Sequence, residues 1–290
     1  MRKESRAKVL LVRTIALAAV AGLGLVVFVV VGILRTKDEG TQAWRDPNVS
    51  NYRNYEGAKK VREFPTPDSE RVVAIVRKVL AMRKAEDFKD LVRLKGISEA
   101  EAVDFLTRLP ERSGRVTEVT WQNTDGANEL QLESAIVKFE RGVPRTAYLT
   151  PDDAGVWQVD LAAFAAHGSV GWDEFQAGGE RSVELRVIAA RDTYYNGAYS
   201  DDHAWSCYTL AYPGADSKLI GYAKKNGPVD EALTRILKNR VGFPVVVRVS
   251  KNSGAAGRQV EILAVPAEGW VLTDQSFDGG SHSEAPSEGK

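Results

Sequence analysis

The chain has 290 residues, with 39 Lys+Arg exactly offset by 39 Asp+Glu. Zero formal net charge gives no global attraction to nucleic acid. A single cysteine, Cys207, excludes an intrachain disulfide and reads as a small buried hydrophobe, with an intermolecular bridge as the other option.

In chain order, Met1 to Arg13 carries Arg2, Lys3, Arg6, Lys8 and Arg13 against one acid, Glu4. Thr14 to Leu34 then runs without a charge, amide or proline. Its length gives about 31 Å of helix, enough for a hydrocarbon core of about 30 Å, so the segment is predicted to span a membrane and contact lipid. The basic excess before it places residues 1–13 in the cytoplasm and the rest of the chain outside. A cleaved signal peptide is the rival. It would have a shorter apolar run followed by a small-x-small site, and here the run ends V-V-V-G-I-L-R. Residues 35–65 are polar, with Pro47 and Pro65, and read as a tether of roughly 30 Å mean span.

The fold class expected beyond the anchor is α+β, in two bodies. The first, residues 66–165, opens with Thr66 as cap and Pro67 at the first helical position, followed by the stripe Val72, Ile75, Val76, Val79 and Leu80. A second helical piece carries Phe88, Leu91 and Val92. Ser98 and Glu101 have capping-box spacing, and the helix that they start is predicted to stop before Pro110. The pattern then changes to strands over Val116–Trp121, Glu129–Glu140, Pro144–Thr150 and Val156–Asp160, with turns at Arg141-Gly142 and Asp152–Gly155. Helices followed by an antiparallel meander put the helices on one sheet face.

This order, closed by W-Q-V-D at Trp157–Asp160, resembles the cone-shaped superfamily of nuclear transport factor and SnoaL-like domains, related in shape to cystatin. The resemblance implies a cone that can form a homodimer through its sheet. It also implies that the cone is either a scaffold or an enzyme with Asp and His in its interior, and fold analogy does not choose. No Asp/His pair falls inside this cone by sequence, and His167 follows the last strand.

Residues 166–181 contain Gly168, Gly171, Gly178 and Gly179 and read as a connection, with Trp172 and Phe175 pinning a short helical turn. In the second body, residues 182–272, strands are expected at Val183–Ala189, Trp205–Tyr212 and Leu219–Lys224. A helix opened by Gly227-Pro228 follows, then strands Phe243–Val249 and Gln259–Val265. Three strands, a helix and two strands resemble an OB-fold β-barrel; a small mixed α+β sheet is the alternative. Residues 273–290 are rich in Gly, Ser and acids and read as a disordered tail.

The densest chemistry lies in Tyr194–Cys207. Tyr194, Tyr195, Tyr199, Asp201, Asp202, His203 and Trp205 are the candidate ligand-binding residues, because the loop between the first two barrel strands borders the usual binding surface of that fold. A structural reading competes, in which tyrosines cover the barrel and Asp201 or Asp202 caps a turn. Adjacent carboxylates with one histidine lack a metal-ligand spacing. His203 and Cys207 stand four residues apart, roughly 13 Å along a strand, too far for a base and its nucleophile unless the loop folds back. From Glu180 to Asp274 there are 12 Lys+Arg and 11 Asp+Glu, so no basic groove for single strands is expected.

The Tyr-Tyr-Asn and aspartate-rich segment also resembles that of uncharacterised membrane-tethered bacterial proteins, a likeness that implies no activity. No P-loop, dinucleotide fingerprint, G-x-S-x-G or zinc spacing appears, and no cofactor is expected. The reading is a single-pass extracytoplasmic binding or scaffold protein for a protein, peptide or glycan. A hydrolase or isomerase using the cone or the Asp202/His203 region is the alternative.

Overall fold

The computed structural model describes residues 64–122, 130–178, 181–252, 254–255, 257–274 and 277. The expected cytoplasmic tail, membrane helix at 14–34, most of the tether and most of the C-terminal tail lie outside the described residues. Among the described residues no helix is long and apolar enough to cross a membrane. The fold is α+β, with few helices and two mixed β-sheets, one open and one closed into a barrel.

Helix α1, Ser69–Ala81, is capped by Asp68 rather than by Thr66, its carboxylate accepting from the Arg71 amide at 2.8 Å. An ionised acceptor at this position satisfies a free amide and complements the helix dipole. The expected second helical piece is only a 3-10 turn, Ala85–Phe88. The chain then extends into β1, Val92–Arg93, because both residues pair in parallel with Val159 and Asp160 much later in sequence.

Helix α2, Glu99–Ser113, opens on the full capping box: Ser98 Oγ accepts from the Glu101 amide and the Glu101 carboxylate accepts from the Ser98 amide. It does not stop before Pro110 but carries that proline inside. Proline removes one amide near the end of the helix. The last turn is held from outside, where Arg141 donates to the Glu111 and Ser113 carbonyls and Gly114 closes on the Pro110 carbonyl at 2.8 Å.

Strands β2 (Val116–Gln122), β3 (Glu133–Phe139), β4 (Arg145–Pro151) and β5 (Trp157–Asp160) form the antiparallel meander. The sheet order is β1-β5-β4-β3-β2, so β1 makes it mixed. Val72, Val76 and Val79 of α1 and Ala102, Leu106 and Leu109 of α2 share one apolar cluster with Val119, Val137, Leu149 and Val159. Residues 64–65 are seated on this sheet: Phe64 exchanges two hydrogen bonds with the Gln131 side chain, and Trp157 Nε1 donates to the Pro65 carbonyl.

Asp160 ends β5 and caps the short buried helix α3, Leu161–Ala165. A second short helix, α4, Trp172–Ala177, buries Trp172 and Phe175.

The barrel uses β6 (Ser182–Asp192), β7 (Trp205–Ala211), β8 (Lys218–Lys224), β9 (Phe243–Ser250) and β10 (Gln259–Glu268). Its order is β10-β8-β7-β6-β9, closed by β9 on β10, with β8 and β10 parallel. Helix α5, Pro228–Ile236, lies between β8 and β9 in sequence and contributes Ala232, Leu233 and Ile236 to the barrel core. Gly221 packs closely there: a Cβ would stand 2.8 Å from Ile262 Cδ1 and 2.9 Å from Leu210 Cδ1, so both side chains would have to shift. Sheet and barrel belong to one compact unit.

Candidate functional site

The segment between β6 and β7 is built around its own side chains. Asp192, at the end of β6, accepts from Thr209 Oγ1 and from the Thr193 amide. The Thr209 hydroxyl is the main reason its carboxyl lies below the usual range. Tyr194 is half exposed, but its carbonyl is a fixed anchor, accepting from Tyr222 OH at 2.7 Å and from Cys207 Sγ at 3.2 Å. A 3-10 turn, Gly197–Tyr199, begins with Gly197 at φ 59°.

That turn swings the Tyr199 ring into the protein. Tyr199 is 2% exposed. It stacks on Tyr222 at 4.1 Å and meets Trp205 edge-on at 4.9 Å, geometries that add to the area it buries. Its hydroxyl accepts from Asn252 Nδ2 at 3.3 Å. Gln259 Nε2 donates to the Asn196 carbonyl and to Tyr222 OH, tying the start of β10 to the same loop. Tyr199 therefore has no free face for a ligand and serves as the plug of the loop. Tyr195 and Trp205 are partly buried beside it.

Asp201 caps the next turn, accepting from the His203 amide at 2.9 Å and the Ala204 amide at 3.3 Å. Asp202 and His203 project outward. The His203 side chain is 94% exposed, with Nε2 3.8 Å from Asp202. Lys225 donates to the Asp202 carbonyl, and Lys224 Nζ lies 5.6 Å over the Trp205 ring. Of the seven sequence candidates, Tyr194, Asp202 and His203 are exposed and Trp205 is partly buried. Tyr195, Tyr199 and Asp201 hold the loop in shape.

Cys207 is buried, and burial pushes its thiol up to about 11. It is protonated near neutrality and is a poor nucleophile, and it shares no environment with the exposed His203. Among the described residues no group of three His, Cys, Asp or Glu is placed to hold a metal.

Tyr222, Lys224, Asn252 and Gln259 complete this cluster and were not singled out by sequence. Tyr222 had only its alternation in β8 to mark it, and the others become neighbours only when the barrel closes.

The buried ionisable groups elsewhere are committed to structure. Asp230 accepts from Tyr208 OH at 2.5 Å and from the Asn226 amide at 2.8 Å. Burial raises its carboxyl, but these bonds outweigh it and the net direction is downward. Glu133 accepts from Trp121 Nε1 at 2.6 Å, and burial lifts its carboxyl above the usual range. Asp160 pairs with Arg93. Burial raises its carboxyl against the pull of Arg93, the Ala163 amide and Arg186. A shallow open groove runs between α1 and the sheet's edge, lined by Val73, Ala74, Val119 and Trp121.

No protein-family model matches the chain, and neither a curated protein nor a solved structure matches it.

Proposed function

We propose that the chain is a membrane-anchored, extracytoplasmic binding or scaffold protein. It docks a protein, peptide or envelope glycan on the rim formed by Tyr194, Asp202, His203 and Trp205. The anchor is the apolar stretch 14–34, and the basic excess before it orients the chain. The sheet half is a cone of the nuclear transport factor type, and the closed half an OB-type barrel. For the barrel, the support is the order of its strands, first-second-third-fifth-fourth, with the third and fifth parallel and a helix between third and fourth.

The observation that carries the reading is the insertion of Tyr199 between Tyr222 and Trp205. It fixes the loop before any partner arrives, so the rim residues need little ordering on association, which favours affinity. The hydrolase or isomerase alternative draws no support from the sheet half, where the space between helices and sheet is filled by apolar side chains.

The test is site-specific photocrosslinking of the full-length protein in native membranes. Photoreactive residues at Tyr194 and His203 are expected to give adducts of one defined mass, and the same residue at Lys78 on α1 none. Adducts at all three positions, or at none, would overturn the assignment of the rim. Protease protection in intact cells against spheroplasts tests the sidedness separately.

A further inference from the structure

The sheet and the barrel meet at a joint built from charge. Arg93 of β1 and Arg186 of β6 are set against one fully buried carboxylate, Asp160. The partly buried Glu184 also acts on Arg186, and Arg93 keeps 19% of its side chain exposed, so the joint is not bare, but the buried Arg186 still needs acceptors where an unpaired charge is costly. Backbone carbonyls supply them. Arg186 Nε donates to the Trp270 carbonyl at 2.9 Å, Arg186 Nη1 to the His167 carbonyl, and Arg93 Nη2 to the Leu272 carbonyl at 2.6 Å.

Two of those three carbonyls belong to the short stretch that follows β10. The stretch leaves the barrel at Gly269, whose amide bonds to the Pro244 carbonyl. Trp270 Nε1 donates back to the Val187 carbonyl at 3.0 Å. Val271 packs with Leu132 and Ala163 from the sheet half, while Leu272 packs with Val246 and Ala267 of the barrel. Lys95, beside β1, pairs with Asp274. The stretch fits closely against the sheet half, because a Cβ on Gly96 would stand 3.2 Å from Leu272 Cδ1 and 3.4 Å from Arg186 Nη2.

We propose that residues 269–274 are a latch, a conformational device that locks the sheet to the barrel and whose release frees the two to move apart. With the latch seated, both arginines are solvated by its carbonyls. With it removed, Arg93 and Arg186 lose those acceptors and keep Asp160, the partly buried Glu184 and, for Arg186, the His167 carbonyl. The halves then separate until the guanidinium groups reach water. The joint is also incompletely satisfied when closed, since Arg186 Nη2 is buried with no hydrogen-bond partner among the described residues, which makes opening easier.

The test is hydrogen exchange on the full-length chain in detergent, compared with a chain ending at Glu268 and with Leu272→Ala. The shortened chain is expected to exchange at least about tenfold faster at residues 92–97 and 182–188 while β2–β4 and β7–β8 keep their protection. Leu272→Ala is expected to show a smaller increase in the same two places. Unchanged exchange in both variants overturns the latch. So does loss of protection through β7 and β8, which would make the stretch a part of the barrel core.

Discussion

Tyr199 and Tyr194 stand five residues apart in a loop rich in tyrosine, yet only one of them is available to a partner. The difference lies in Gly197, whose positive φ turns the chain so that Tyr199 stacks on Tyr222. Tyr199→Ala is expected to cost about 3–5 kcal/mol, the range for emptying a buried aromatic site, read as a lower urea midpoint. Tyr199→Phe keeps the stack and loses only the Asn252 contact, so it is expected to cost under about 1.5 kcal/mol. Equal effects of the two would move the weight from the ring to the hydroxyl. Ser98→Ala removes the capping box and is expected to cost about 1 kcal/mol, measured as a drop in Tm. Ser98 and Glu101 were legible in the sequence because a capping box is local. The Asp68 cap was not, since Thr66-Pro67 offers the same kind of signal two residues earlier and nothing local separates them.

Among the elements, those whose partners lie nearby in sequence were readable and those closed by distant partners were not. Gly227-Pro228 and the stripe after it announce α5. Strand β1 is two residues long and exists because Val92 and Arg93 meet Val159 and Asp160, so its own residues read equally well as helix. The last turn of α2 persists past Pro110 because Arg141 donates to its carbonyls. For the barrel as an element, the chemistry of the face that the β6–β7 loop covers predicts alkaline lability. Burial raises Cys207 from 9.0 to about 11 and Tyr222 from 10.0 to about 12. A raised folded value means that the native state holds these protons longer. The contribution is therefore fully present below about pH 9 and lost as pH rises through 11 to 12. Urea midpoints are expected to fall between pH 8 and pH 11, and Cys207→Ala to reduce the slope. A flat profile would contradict the burial of both groups.

For the whole molecule, a histidine at the joint between sheet and barrel contributes to the response to acid. His167 is half-buried there, with burial first and Arg186 as well holding its pKa below 6.5, against Glu101. A depressed folded value means that protonation favours the unfolded chain. The stabilising contribution is present above about pH 6.5 and lost as pH falls through the folded value. His167→Gln is expected to flatten the stability profile between pH 7 and pH 5. Gly168, the next residue, runs so close to β6 that a Cβ would stand 2.8 Å from the Glu184 carbonyl. Gly168→Ala is expected to cost about 1–3 kcal/mol and to speed hydrogen exchange along β6. The glycines of residues 166–181 read as a connection in sequence; the structure adds a steric reason for Gly168. Nothing in the sequence marks Arg186 as the centre of this joint, because its acceptors lie 19 and 84 residues away.

The position of Leu272 along the polypeptide also orders events during synthesis. Its carbonyl reaches Arg93 across 179 residues, so at about 5–20 residues per second the arginine waits roughly 9–36 s on the ribosome for its last acceptor. Throughout that interval the nascent sheet can mature with Arg93 held by Asp160 alone. A released chain ending at Glu268 should therefore hold two bodies that tumble independently, and one ending at Asp274 should hold them in register.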